Sequence, residues 1–118
     1  MHEMGIISGV LSAVIETAEQ NNATRVLAVT LDVGEMTEAI EDALRFAFEA
    51  LSEGTLCEGA EFTVNMVRPR SFCLECYNEF EHDRFHRACP QCGSYETTLL
   101  SGRELQIQSI EIDTPDED

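Results

Sequence analysis

The chain has 118 residues, of which seven are basic and twenty-three acidic, for a formal charge of −16. That length supports one modest core, or a small core plus a metal-stapled lobe. The charge repels nucleic-acid phosphates and no long uncharged apolar run is present, so neither nucleic acid nor a membrane is expected as a partner.

Residues 5–22 place Ile6, Ile7, Val10, Leu11, Val14, Ile15 and Ala18 at the i, i+3, i+4 spacing of an amphipathic helix, with Asn21 and Asn22 as stops. From Arg25 to Val33 the period becomes two. Leu27, Val29, Leu31 and Val33 then share one face of a half-buried strand that Gly34 ends. A second helix is signalled by Thr37 as N-cap, by Glu38, Glu41 and Asp42 near the positive end of the helix dipole, and by Gly54 beyond the last turn. Its apolar stripe is Ile40, Ala43, Leu44, Ala47, Phe48 and Leu51. Residues 61–67 alternate as a further strand, broken by Arg68-Pro69-Arg70. After Gly102 a last strand places Leu105 and Ile107 on one face and Ile110 and Ile112 on the other, a phase change that predicts a bulge or a strand covered on both sides. The tail 113–118 is expected to be solvated and mobile.

Four cysteines form two pairs, Cys73-Leu74-Glu75-Cys76 and Cys89-Pro90-Gln91-Cys92, with twelve residues between them. A two-residue gap lets backbone and thiolates wrap one ion, and two such knuckles complete a tetrahedron, so the spacing predicts a closed tetrathiolate zinc site. Pro90 fixes its own φ in the second knuckle, and Gly93 can take the positive φ where that turn ends; Tyr77 stands at the equivalent place in the first. Disulfides fit poorly, because no secretion signal precedes the chain and a fifth cysteine, Cys57, leaves an odd count. Mononuclear iron, which would colour the protein, and a redox pair are the other readings. With zinc, the site is a scaffold that folds a small lobe. Because strand-forming segments lie on both sides of the cysteines, that lobe reads as an insertion, and the strands leading into and out of it are expected to pair.

Met1-His2-Glu3 carries two readings. Residues before a helix are often frayed, and an exposed histidine usually does nothing. A histidine at position 2, however, lets the α-amine of Met1, the deprotonated His2 amide and imidazole Nδ1 close fused chelate rings, with the next backbone nitrogen near the fourth position. That planar nitrogen set suits nickel(II) or copper(II) and suits zinc poorly.

Among the other candidates, Cys57 reads as a small buried hydrophobe, and His82 and His86 as solvated loop residues between the knuckles. Arg84 and Arg87 are expected to balance the acidic loop and the dianionic tetrathiolate. Glu35 and Glu38 read as first-turn helix acids, with approach to the amino-terminal site as the alternative. Phe72, Phe80 and Phe85 are expected to pack under the zinc lobe. No set of nucleophile, base and oxyanion donors can be assembled, so an enzyme is not expected.

Met1-His2-Glu3, Val33-Gly34-Glu35, Phe46-Ala47-Phe48-Glu49, Gly54-Thr55, Glu58-Gly59-Ala60, the two knuckles ending in Cys92-Gly93-Ser94, Gly102-Arg103-Glu104-Leu105 and Ser109-Ile110-Glu111 together closely resemble the HypA/HybF family of nickel-insertion proteins of nickel–iron hydrogenase maturation. The similarity runs nearly the whole chain in order. It implies an α/β fold, a small mixed three-stranded sheet with two helices, carrying an inserted zinc-ribbon domain of rubredoxin-like knuckles. The corresponding partition is 1–67 for the first part of a nickel-binding domain, 68–100 for the zinc domain, and 101–118 for the returning strand and acidic tail. By the same resemblance Met1, His2 and the adjacent backbone nitrogens take nickel transiently, Glu3 supports that site, and Cys73, Cys76, Cys89 and Cys92 hold structural zinc. The lack of an apolar membrane-spanning run and of a secretion signal leads to the expectation of a cytoplasmic protein. The implied partners are a nickel-binding GTPase of hydrogenase maturation and the hydrogenase large subunit, with urease accessory proteins and a homodimer as further possibilities. The contrasting function is a zinc-ribbon interaction module that transports no metal.

Overall fold

The computed structural model describes residues 2–115. Helix α1 (Glu3–Gln20) is followed by strand β1 (Arg25–Gly34), a 3-10 turn (Glu35–Thr37), helix α2 (Glu41–Ser52), strand β2 (Glu61–Val67), three short strands β3 (Arg70–Cys73), β4 (Glu79–Glu81) and β5 (Thr97–Ser101), and strand β6 (Leu105–Asp113). The end of the acidic tail lies outside the described residues, as does Met1.

Contacts group the chain into two units. One comprises the segment ending at Leu31, Ala39–Asn65 and the segment from Gln106 onward; the other comprises Asp32–Glu38 and Met66–Leu105. In the first unit α1 packs against α2. Ile7, Val10, Leu11, Val14 and Ala18 of α1 are buried together with Leu44, Ala47 and Phe48 of α2 and Val26, Val29 and Leu31 of β1. The stripe in α1 matches the sequence period; Ile6 and Ile15, at its edges, are half-buried. In α2 the buried stripe is narrower than the pattern suggests, because Ile40 and Leu51 are exposed at the helix ends. Phe48 stacks on Phe62 of β2, with ring centroids 4.3 Å apart and planes 6° from parallel. In β1 Val29, Leu31 and Val33 are buried as expected, whereas Leu27 is exposed and Val26 is fully buried, so the strand changes phase near its start.

The start of α2 differs from the sequence reading. Thr37 is not its N-cap: the Thr37 hydroxyl donates to Gly34 O at 2.8 Å and closes the 3-10 turn. Glu38 then turns the chain through a left-handed conformation with φ 66, and α2 starts after Ile40, whose side chain supplies no cap.

The larger sheet is mixed and has the order β2-β1-β6. Strand β6 runs antiparallel to β1, with Thr24 N–H donating to Asp113 O (2.8 Å) at one end and Gly34 N–H to Glu104 O (2.7 Å) at the other. The crossover through α2 makes β2 parallel to β1. The strands flanking the insertion, β2 and β6, therefore lie on either side of β1 and do not pair. The ends of the lobe are closed instead by β3 and β5, which pair antiparallel, with β4 on the other edge of β3. The phase change in β6 is present: Ile107 is half-buried, and the half-buried set then shifts to Ile110 and Ile112.

Candidate metal centre

The lobe containing β3–β5 brings all four knuckle cysteines together. The Sγ atoms of Cys73, Cys76, Cys89 and Cys92 all lie within 4.8 Å of one another. The Cys73–Cys92 and Cys76–Cys89 sulfur pairs are each separated by 3.6 Å. A tetrahedron of zinc–sulfur bonds of about 2.3 Å has edges of about 3.8 Å, so the residues present fit such an ion.

The two knuckles repeat the same backbone geometry. Tyr77 N–H donates to Cys73 O at 2.9 Å, and Gly93 N–H to Cys89 O at 2.7 Å. Cys73 N–H in turn donates to Asn78 O (2.8 Å), and Cys89 N–H to Ser94 O (2.9 Å). Each turn ends at a positive φ, 62° at Tyr77 and 79° at Gly93. Glycine makes this conformation without cost in the second knuckle; in the first, an L-residue adopts it. Asn78 was not evident as a support of the site: besides its carbonyl, its side-chain amide approaches Cys89 Sγ at 3.8 Å. The signal for it in the sequence is its place two residues after a knuckle's second cysteine, where Ser94 stands in the other.

Burial divides the cluster. Cys73 and Cys89 are buried, Cys76 is half-buried, and Cys92 is exposed. Burial pushes the Cys89 thiol up, but the backbone N–H groups of Cys92 and Gln91, helped by Cys76 and Asn78, outweigh it and bring the thiol down to about 6. At Cys76 the backbone N–H of Asn78 favours the thiolate, yet burial and the three neighbouring sulfurs prevail and raise it to about 12. Four sulfurs this close share protons, and a divalent cation replaces them by stabilising all four thiolates.

The remaining sequence candidates separate. His2 is exposed and is the N-cap of α1, with extended backbone (φ −86, ψ 112), and the first backbone bond of the helix runs from Ile6 N–H to His2 O at 3.1 Å. The Glu3 carboxylate turns toward α2 and accepts Ile40 N–H at 2.9 Å. That bond, followed by one from its own N–H, holds the Glu3 carboxyl below the ordinary carboxylate range. Cys57 is fully buried, as a small hydrophobe would be, and burial raises its thiol. His86 is an exposed loop residue whose Nδ1 lies 2.8 Å from Asp83 Oδ1. His82 is not solvated: it is buried, with Nε2 2.7 Å from Ser71 Oγ and Nδ1 2.5 Å from Asp83 O. Phe80 is buried against the cysteines and Phe72 is half-buried against Tyr77, but Phe85 is exposed, with the Arg84 guanidinium 4.8 Å over its ring. Arg84 pairs with Glu38 at 3.5 Å.

Comparison with known proteins matches residues 1–112 to the family model described as "Hydrogenase/urease nickel incorporation, metallochaperone, hypA". The chain is 38% identical over 112 residues to hydrogenase maturation factor HypA of Rhizobium leguminosarum bv. viciae, covering 95% of this chain and 99% of that protein. It is 38% identical over 128 aligned positions to the protein of the same name from Methanococcus maripaludis, covering all of both. In fold it resembles the solution structure of the Ni metallochaperone HypA from Helicobacter pylori, with a TM-score of 0.69 at 24% identity over 98% of this chain and all of that one. No helix among the described residues is long and apolar enough to cross a membrane. With one family model spanning nearly the whole chain and relatives matched end to end, the chain belongs to the HypA family of nickel-incorporation metallochaperones of hydrogenase maturation and carries the four-cysteine metal site in its second unit.

Proposed function

We propose that this metallochaperone takes up nickel(II) at its amino terminus, on the α-amine of Met1, the His2 amide and imidazole Nδ1, and the next backbone nitrogen. Met1 lies outside the described residues, so the observation that carries the reading is the state of His2 and Glu3. His2 is exposed and caps α1 in an extended conformation. The Glu3 amide sits in the first turn, where an α-helix offers no backbone acceptor, so its deprotonation breaks no helical hydrogen bond and gives up only its contact with the Glu3 carboxylate. Glu3 would support the site from its tether to Ile40.

The four cysteines would hold one zinc ion as scaffold, since a closed tetrathiolate leaves no open position for chemistry. The partition into a nickel-binding part, 1–67 with 101–118, and a zinc part, 68–100, is supported in outline by the grouping of contacts, although that grouping assigns Asp32–Glu38, Met66, Val67 and residues 101–105 to the unit holding the cysteines. Delivery would proceed by ligand exchange in the cytoplasm, with incoming protein ligands replacing the backbone nitrogens one at a time. The recipients would be a nickel-binding GTPase and the hydrogenase large subunit, a reading supported by the family's role in nickel incorporation. Because the amides must lose protons to bind, nickel affinity should fall as pH drops.

Calorimetry of untagged protein tests the site. His2→Ala, or a short extension ahead of Met1, should abolish tight nickel binding while zinc content stays near one per chain. Unchanged nickel affinity in both variants would rule the site out.

A further inference from the structure

All seven basic residues are arginines. Four are paired with carboxylates: Arg45 with Glu41, Arg68 with Glu81, Arg70 with Glu79 and Arg84 with Glu38. In a chain with twenty-three acids that is the expected fate of a guanidinium. Arg87 and Arg103 have no carboxylate partner among the described ion pairs, and both line one cavity of about 250 Å³ in the unit that holds the cysteines.

The walls of that cavity are polar. Ser71 of β3, His82 and residues Thr97–Leu99 of β5 line it together with Met36 and the two arginines. Two of its lining side chains, Ser71 and His82, are buried and lie 2.7 Å apart. The Asp83 carbonyl can only accept, so His82 Nδ1 carries a proton and donates to it, and Nε2 is left to meet the Ser71 hydroxyl. The pair is thus satisfied internally and forms a fixed polar base. The Thr97 hydroxyl reaches Arg87 O at 3.4 Å and links the arginine-bearing loop to β5.

We propose that this cavity is a binding site for a phosphoryl group, as inorganic phosphate or a phosphate monoester. Two guanidiniums without carboxylate partners among the described ion pairs supply the charge that a dianion needs, and the Thr98 hydroxyl adds a neutral donor. A carboxylate would satisfy a single guanidinium fork and leave the second unmatched, and a metal cation is repelled by both. The site shares no residue with the cysteine cluster or the amino terminus, and it stands whether or not nickel binds at His2.

The test is a titration of full-length, zinc-loaded, nickel-free protein at constant ionic strength, followed by amide and arginine side-chain resonances. Separate arms use inorganic phosphate, glycerol 3-phosphate and acetate. Saturable shifts are expected at Ser71, Thr97, Thr98 and the Nε–H of Arg87 and Arg103, with acetate much weaker; whichever phosphate arm binds more tightly identifies the source. Arg87→Gln and Arg103→Gln should each weaken phosphate binding about tenfold, the size of one charge-assisted hydrogen bond, with the rest of the spectrum unchanged. Arg25→Gln, which removes the same charge outside the cavity, should leave the affinity unaltered. No saturation, equal weakening by Arg25→Gln, or acetate binding as well as phosphate would each overturn the proposal.

Discussion

The Glu3 carboxylate accepts the backbone N–H of Ile40 at 2.9 Å and so ties the first turn of α1 to the residue that begins α2. Ile40 has no side-chain oxygen to cap its own helix. A residue thirty-seven positions away occupies its N–H instead. The first residue of α1 that the family resemblance connects with nickel is therefore also a tether between the two helices whose facing stripes form the core of this unit.

Replacing Glu3 should expose that second role. Glu3→Ala is expected to lower thermal stability at neutral pH. The carboxyl titrates below its ordinary value in the folded protein, chiefly because of the Ile40 N–H. The stability it supplies is thus complete above the unfolded carboxylate's pKa and disappears as pH falls through the lower folded one. Melting curves of both proteins at pH 7 and at successively lower pH should converge under acid conditions. A gap that persisted in acid would show that the mutation acts through something other than this ionised contact.

What the sequence makes legible is mostly local. The two Cys-x-x-Cys turns and the α1 stripe are set by residues within a turn of one another, so spacing alone reveals them. The beginning of α2 lies later than the sequence suggests, because Thr37 has the chemistry of a cap but donates its hydroxyl to Gly34, while the actual start takes its acceptor from Glu3. His82 looked like a loop residue among acids; its burial depends on β3 lying antiparallel to β4, which puts Ser71 opposite Phe80 and brings Ser71 Oγ to the imidazole. Phe85 is the opposite case, a large ring that size alone would bury but that lies under the Arg84 guanidinium in solvent. The pairing of β2 with β6 failed for a topological reason. Chain ends can be brought together by strands inside an insertion, and β3 and β5 do this.

Gly34 is required for steric reasons alone. A Cβ there would stand 2.0 Å from Gly102 O and 2.1 Å from Gly102 C, backbone atoms that cannot rotate away. Gly102 itself has φ 120 and would bring a Cβ to 2.9 Å from Pro69 Cα, so it cannot readily yield. Gly34→Ala is expected to cost on the order of 3 kcal/mol. Urea unfolding should report it, and a change under about 0.5 kcal/mol, the range of ordinary surface substitutions, would mean that the two segments separate freely.

Tyr77 offers a milder test of the first knuckle. Its left-handed backbone, φ 62, costs an L-residue about 1–2 kcal/mol that glycine avoids. Its ring, however, lies 5.9 Å from that of Phe72, a contact worth about 0.5–1.5 kcal/mol. Tyr77→Gly should therefore be close to neutral, whereas Tyr77→Val loses the ring and keeps a still less tolerated backbone. Thermal melts of the zinc-loaded variants should rank Val well below both Gly and Tyr; equal stability of Val and Tyr would refute the strain at this position.

Removing the metal should unfold one unit and spare the other. Sulfurs 3.6 Å apart in two pairs cannot all remain thiolates without a cation, and the core behind them is small, with Phe80, among the described residues, the one large buried side chain packed on Cys73 and Cys89. The unit with α1 and α2 has its own core of aliphatic side chains from both helices and β1. Chelation, or Cys73→Ser, is thus expected to abolish amide protection at Cys73 and Cys89, whose N–H groups close the knuckles, while the amides of Val10, Val14 and Leu44 stay protected. Acid should act in the same direction, because protons compete with the ion for thiolates and metal is lost as pH falls. Hydrogen exchange at neutral pH before and after chelation measures both sets at once. Loss of protection in the helices together with the knuckles would show a single cooperative unit and overturn the expectation that the ion organises only its own lobe.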